Sequence, residues 1–411
     1  MGERFRPSPQ LSTHTVGQYL DTYLTHKYPI TPMIDRARIE EYIRNFAQCP
    51  GCYGVIVSCC ATVAPDRDVS SAPAADSPEL PRQRSHCDLS EPSADFLVSE
   101  VLRSRRFCHL ADNQSLTQVQ TSFMLHCAHP SPRNDHAAWF YLREAITILQ
   151  TLRYHEEATY EETADLSVTR EARRAFWVLF VTERAFAIQR HKTLALHSTV
   201  DLPYLDPLLG DSEILHGFLD LTSLFRPFDA EFITAWNSYA ERQTIKPARP
   251  PDHEQLCQLQ RSLSNCLADV SAYPESQQAE LFVTCGWLKT VVWQLCLSVT
   301  TLTSTDYCES MSLGYPLSIA QDIVLVLKLL PQKTFAVNRV SILEKLSQVG
   351  SSLADVLSLN TPAILRPMTL DASTDILMEI IKIAKKMLGA GCRSPHPKLS
   401  QRVMLEKDDK Y

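Results

Sequence analysis

Apolar residues recur at steps of three and four along most of this chain, and no window sustains the alternation of a half-buried strand. Trp139, Leu142, Ile146 and Leu149 fall on one such stripe; Phe176, Leu179, Phe180 and Ala187 form a second, and Leu256, Leu259, Leu263 and Leu267 a third. Side chains at these spacings share one face of an α-helix, and an apolar face in water needs a second helix to cover it. The expected fold class is therefore all-α, a large multi-helix body. With 411 residues the chain can bury a large core, as one big helical domain or as two. Its 11 glycines are few for a protein built on tight turns, which agrees with long helices.

Helical patterning predicts a helix from Val16, a break marked by Pro29 and Pro32, a second helix, and a short apolar helix over Tyr53–Val63. Patterning resumes at Ser115, and further helices are predicted over Leu281–Leu302, Leu317–Leu330, Val340–Leu359 and Thr374–Leu388. The stretch between, rich in Pro, Ser, Ala and Asp, has too little apolar surface to offset the entropy of ordering it. We expect residues 61–95 to be a disordered Pro/Ser-rich insertion within one domain covering 15–390, with flexible ends at 1–14 and 391–411. Lys246–Pro251 is a Pro-rich loop between two halves that are equally helical. No fixed-period repeat points to a solenoid.

Net charge is −7 at pH 7, so the overall balance offers no pull toward nucleic-acid phosphates. The 13 cysteines are scattered and odd in number; Cys285 and Cys296, inside an apolar stretch, read as small buried hydrophobes of a reducing compartment rather than a disulfide frame. The first residues have no apolar signal region, so secretion is not expected. Lys289 and Gln294 interrupt the longest apolar run, which marks a core helix and not a membrane span.

Motifs that would carry chemistry are incomplete. Cys49, Cys52 and Cys59 follow the C-x2-C-x6-C opening of a zinc cluster, but no matching second half comes after Cys60, and the loop between them is apolar. A redox reading of Cys49-Pro50-Gly51-Cys52 lacks a surrounding βαβ pattern. His126, Cys127, His129 and His136 crowd together without carboxylate partners in a ligand arrangement, and read as helix-surface or loop residues. His155-Glu156-Glu157 lacks the second histidine of a zincin helix. No nucleophile elbow, phosphate loop or dinucleotide fingerprint occurs, so no catalytic, cofactor-binding or metal residue is assigned and no enzyme is expected. Three basic clusters, Arg103–Arg106, Arg170–Arg174 and Lys382–Lys386, read as solvated helix faces.

One region carries a stronger signal. A tryptophan helix with an Ala-Ile pair (Trp139, Arg143, Glu144, Ala145, Ile146) is followed by Arg173 and Arg174, Phe176 and Trp177, Glu183 and Arg184, and Leu202-Pro203. This succession resembles the middle homology region of fungal zinc-cluster (Zn₂Cys₆) transcription factors, the fungal-specific transcription factor domain. The segments AWFYLREA, YHEEATYEET and FWVLFVTERAFAIQRHK are most similar to the amylolytic-gene activators and maltose regulators of that family. The motifs cover about residues 115–205, with a looser likeness over 16–390.

The resemblance implies a regulatory domain in the nucleus that controls a carbohydrate-use or secondary-metabolite gene set. Its implied partners are other transcription factors or co-regulators, a small-molecule inducer, or a second copy of the chain, with no membrane. The zinc of such factors belongs to a cluster upstream of this region. That module is not found here, so DNA is expected to be reached only indirectly, and no other cofactor is implied. The alternative is a cofactor or antagonist that associates with intact relatives without touching DNA. The residues themselves place Trp139, Phe176 and Trp177 in a helix-packed core, and leave Arg173, Arg174, Glu183 and Arg184 available to pair across helices with Glu144.

Overall fold

The computed structural model describes residues 4–70, 92–129, 135–204, 211–240, 251–267, 270–299, 310, 312–331, 334, 338–358 and 367–388. Among these residues there are fifteen α-helices and no strand, the all-α class that the apolar spacing requires. They separate into two compact units, one formed by residues up to Leu179 together with Thr199–Pro203, the other by Phe180–Ser198 and the residues from Tyr204 onward. The division falls inside a helix and not at the Pro-rich stretch 246–251, whose residues 246–250 lie outside the described ones.

The first unit holds α1 (Thr13–His26), α2 (Arg36–Arg44), α3 (Pro50–Ser70), α4 (Ala94–Arg105), α5 (Leu116–Ala128), α6 (Asp135–Thr151), α7 (Glu157–Glu162) and the start of α8 (Leu166–Arg190). At its centre lies α3, packed against α1, α2, α4 and α5. Tyr53, Val55, Ile56, Val57, Cys59, Ala61 and Val63 are all fully buried, so this helix is covered on every side and needs no polar face. The expected break at the two prolines is present: α1 ends at His26 and α2 starts at Arg36, where the Asp35 carboxylate accepts the Ala37 amide at 3.1 Å as an N-cap. Gln118, three residues after Ser115, reaches back to the Ser115 amide at 3.2 Å and fixes the start of α5.

Helix limits differ from expectation, α12 and α15 starting earlier, at Glu275 and Pro367, and two stretches of the first unit differ most. The helix expected over Tyr53–Val63 starts at Pro50 and runs to Ser70, and α4 begins at Ala94, so both ends of the expected 61–95 insertion are helical; residues 71–91 lie outside the described ones. Within α3 the residues from Cys52 to Ala64 are buried on every face, so no polar stripe marks the helix's limits. Residues 4–14, expected to be loose, make tertiary contacts. Phe5 packs edge-on against Tyr53 and Phe107, the Arg6 carbonyl accepts from Arg103 at 2.9 Å, and Leu11 is buried.

The second unit contains the end of α8, then α9 (Ser212–Phe225), α10 (Ala230–Ala240), α11 (His253–Asn265), α12 (Glu275–Val299), α13 (Tyr315–Leu329), α14 (Arg339–Ser358) and α15 (Pro367–Leu388). Here α12 is central, packed against α9, α10, α11, α13 and α14. Its buried Val283, Trp287, Leu288, Val292, Trp293 and Cys296 spread around the whole helix. Two glycines allow the closest approaches. A Cβ at Gly286 would lie 2.6 Å from Ile323 Cδ1 on α13, and one at Gly217 on α9 would lie 2.5 Å from Gln277 Oε1 on α12. Cys285 and Cys296 are buried as expected, the Cys285 thiol donating to the Leu263 carbonyl at 3.2 Å. Among the described residues no helix is long and apolar enough to cross a membrane. The tail 391–411 lies outside them.

Candidate functional site

The residues singled out by the motif fall into three polar clusters and a core, each built on α6 or α8. Arg173 and Trp177 are one helical turn apart on α8 and point to the same side of it, as an i, i+4 pair must. Both reach the peptide of Asp201: Arg173 Nη1 and Trp177 Nε1 donate to its carbonyl at 3.0 and 2.9 Å. The same guanidinium forms a fork with Glu157, at 2.8 and 2.5 Å, and Glu157 in turn accepts the Asp201 amide at 2.8 Å. Tyr160 closes the arrangement beneath the guanidinium, 4.2 Å from its ring centroid. The Asp201 peptide thus has both its donor and its acceptor held by side chains, and the chain enters Leu202-Pro203 in one geometry, with Leu202 exposed and Pro203 buried. Beside Arg173, the Glu157 carboxyl is held below its ordinary range by the guanidinium hydrogen bonds.

Six residues beyond Trp177 on α8, in the second unit, Glu183 and Arg184 make a similar clamp on a different stretch. Glu183 accepts the amides of Ala195 and Leu196 at 2.8 and 3.0 Å, while Arg184 donates to the Leu196 carbonyl at 3.1 Å. Arg184 is almost wholly buried and lies over the Phe180 ring at 3.3 Å; loss of water pushes its pKa down to about 10. The helix ends where this stretch begins. His191 takes a left-handed φ of 53° and the Lys192 amide turns back to the Ala187 carbonyl at 3.2 Å, a Schellman closure made without glycine.

The third cluster joins α2 to the start of α8. Arg170 bonds the N-cap carboxylate Asp35 at 3.1 Å, Arg38 lies 3.5 Å from Glu171, and Glu171 accepts the Asp35 amide at 3.2 Å. Arg174, 1% exposed, donates to the Tyr28 hydroxyl at 3.3 Å. Burial raises the Glu171 carboxyl to about 7, and the Asp35 amide and Arg38 offset only part of that rise. A perturbed carboxylate is what a general acid or base would need, yet Glu171 has no exposed surface.

Several expectations are corrected by this geometry. Glu144 does not pair with the α8 charges; it accepts from Arg105 at 2.6 Å and Ser122 at 2.7 Å within the α4–α5–α6 group. Trp139 is half-buried beside Arg143, whose guanidinium lies 5.5 Å from its ring, while Ala145, Phe176 and Trp177 are core. The basic runs Arg103–Arg106 and Arg170–Arg174 are not simply solvated faces, because Arg103, Arg105, Arg170 and Arg173 are bound to carboxylates. His126 is half-buried and not a free surface residue: its Nδ1 donates to the Ala138 carbonyl at 2.9 Å, and burial lowers its pKa to about 4. Among the described residues, no three His, Cys, Asp or Glu side chains are grouped to hold a metal ion.

Glu157, Tyr160 and Asp201 are the partners that sequence reasoning did not single out. Glu157 and Tyr160 lie within YHEEATYEET, quoted for its likeness alone, and the signal available was a carboxylate followed at i+3 by an aromatic on a short helix.

Comparison with known proteins adds to this geometry. The model of the fungal specific transcription factor domain matches residues 20–248, more than half of the chain. The probable sucrose utilization protein SUC1 of Candida albicans is 26% identical over 268 residues, 65% of this chain and 51% of the relative. The maltose fermentation regulatory protein YPR196W of Saccharomyces cerevisiae is 22% identical over 272 residues, 65% and 55% of the two chains. The maltose fermentation regulatory protein MAL13 of the same yeast is 20% identical over 251 residues, 60% and 50%. The chain spans about half the length of the curated relatives it matches. All three clusters lie inside the matched residues, and the chain belongs to the fungal-specific transcription factor domain family.

Proposed function

We propose that this chain is a transcription regulator of a carbohydrate-use gene set, acting in the nucleus, and that its helical body carries out regulation and not catalysis. The observation that carries the reading is the family match over residues 20–248, and the names of the relatives, sucrose utilization and maltose fermentation regulation, support the gene class. The motif geometry supports it physically. Arg173, Trp177, Glu183 and Arg184 spend their polar groups on the backbone of 195–201, which is how a surface is held in shape for another molecule to read. With a net charge of −7 and with Arg105 of α4 and Arg173 of α8 bound to carboxylates, this body reaches DNA through another module or partner. Other transcription factors, co-regulators or a sugar-class inducer are the molecules it would answer to.

The test is a tethering experiment in yeast. Fused to an unrelated DNA-binding module, the chain should change transcription of a reporter carrying that module's site, and the change should differ between maltose or sucrose and glucose. A reporter that stays at the level of the DNA-binding module alone on every sugar would defeat the proposal.

A further inference from the structure

The Cys49-Pro50-Gly51-Cys52 motif plays no part in the regulatory reading, and the structure puts it in an arrangement suited to thiol chemistry. Cys49 is the residue before the first turn of α3, Pro50 takes the first helical position, and Cys52 is the third residue of the helix. The Tyr53 amide bonds the Cys49 carbonyl at 3.0 Å, which makes Cys49 the N-cap. Its side chain does what a serine would do there: Cys49 Sγ accepts the Cys52 amide at 3.4 Å. The amide holds the Cys49 sulfur at the N-terminal end of α3, in one position beside Cys52. Cys49 is partly exposed, next to the exposed turn residues Ala47 and Gln48, so a small oxidant can reach it.

Cys52 differs from Cys49. It is buried, and burial together with the hydrogen bond to Cys49 pushes its thiol up to about 12, so it stays protonated beside its neighbour. Residues at the N-cap and N3 positions of one helical turn have Cα atoms roughly 5–6 Å apart, within the span of a disulfide. No βαβ scaffold is needed for this, because the first turn of α3 supplies the same placement.

We propose that Cys49 and Cys52 form a peroxide-reactive dithiol, Cys49 attacking and Cys52 resolving. The Cys49 thiolate attacks hydrogen peroxide; an S–O bond forms, the O–O bond breaks, and the departing hydroxide takes a proton and leaves as water. Cys52 loses its proton and attacks the sulfenic sulfur; the S–S bond forms, the S–O bond breaks, and a second water leaves. One peroxide is reduced and two thiols become one disulfide. The change occurs at the N-terminus of the central helix of the first unit. It turns the sulfur that caps the Cys52 amide into a disulfide sulfur, a weaker acceptor, in the first turn of the helix on which α4 and α5 pack.

The experiment treats the full-length chain with one equivalent of hydrogen peroxide, followed by differential alkylation and peptide mass mapping. A Cys49–Cys52 disulfide is expected as the first oxidised species, ahead of Cys108, Cys127 and Cys266. Cys52→Ser should leave a sulfenic acid on Cys49 that dimedone captures, and Cys49→Ser should slow peroxide consumption about tenfold. Mapping of the unaltered protein decides the matter even where a variant folds poorly. Oxidation of any other cysteine while Cys49 and Cys52 remain thiols would overturn the proposal.

Discussion

Both units hold loops with end clamps, and the second adds a polar ladder inside a helix pair. In the first, charge is spent at the ends of elements: Asp35 caps α2 and binds Arg170, while Glu157 and Arg173 hold the Asp201 peptide. In the second, polar groups also run along the inside of a helix pair. Lys345 of α14 is ion-paired with Glu280 of α12 and donates to Thr284 at 2.7 Å. Further along, Trp287 donates to Gln348 at 2.6 Å, Gln348 to Gln294 at 3.1 Å, and Gln294 to Ser352 at 2.8 Å. An end clamp fixes a loop against a helix; an internal ladder fixes the register of two helices against each other. Residues whose contacts are end clamps shape the surface, and those in the ladder shape the core.

Breaking the ladder at its buried charge should have the largest effect. Lys345 and Glu280 are 3% and 6% exposed, so Lys345→Ala leaves a carboxylate in the core and should cost about 3–5 kcal/mol. Replacing both, Lys345→Met with Glu280→Leu, should restore most of that loss if packing is kept. Urea unfolding followed by tryptophan fluorescence measures both, and a Lys345→Ala midpoint equal to that of the parent chain would contradict the contrast.

A clamp is smaller. Arg173→Ala removes a charge-assisted fork and one bond to the Asp201 carbonyl, for about 2 kcal/mol, and Arg173→Lys should recover only part because an ammonium cannot form the fork. The same urea titration measures both. Full recovery by lysine would show that net charge, not geometry, matters there.

The α2–α8 cluster sharpens the comparison through pH. Glu171 has a folded pKa of about 7, above the ordinary carboxylate value of 4.5, so the native state binds the extra proton. Its contribution is fully present below about pH 4.5 and is lost as pH rises through 7, the opposite of a salt-bridged carboxylate. His126 acts in reverse: its folded pKa of about 4 means that stability falls as pH drops from 6.5 toward 4. Glu171→Gln should flatten the loss between pH 5 and 7 and leave the acid limb intact. A thermal melting series across pH shows whether it does, and an unchanged slope would remove Glu171 from the account.

The smallest effect is expected at Lys382, whose pairing with Glu379 is exposed: Lys382→Ala should leave the melting temperature unchanged within error.

Much of the fold was legible because its signals are local. The stripes through Leu142, Ile146 and Leu149 and through Phe176 and Phe180 are buried as the spacing requires, and the prolines at 29 and 32 mark a true break. The motif residues were legible as a set, but their partners were not. Glu144 finds Arg105, 39 positions away, and Trp177 finds the Asp201 carbonyl, 24 positions away, and neither separation leaves a periodic trace. The limits of α3 were misjudged for a related reason, since a helix covered on every side carries no amphipathic pattern to show where it begins and ends.

The central claim is that side chains of the α8 motif fix the backbone at residues 195–196 in the second unit and, with Glu157, at Asp201 in the first. Amide hydrogen exchange tests it directly. The Ala195, Leu196 and Asp201 amides, each bonded to a carboxylate, should be protected in the native protein. Glu183→Gln should weaken protection at 195 and 196, and Arg173→Ala should weaken it at 201. Exchange at the rate of a free coil at these three amides in the native chain would contradict the account.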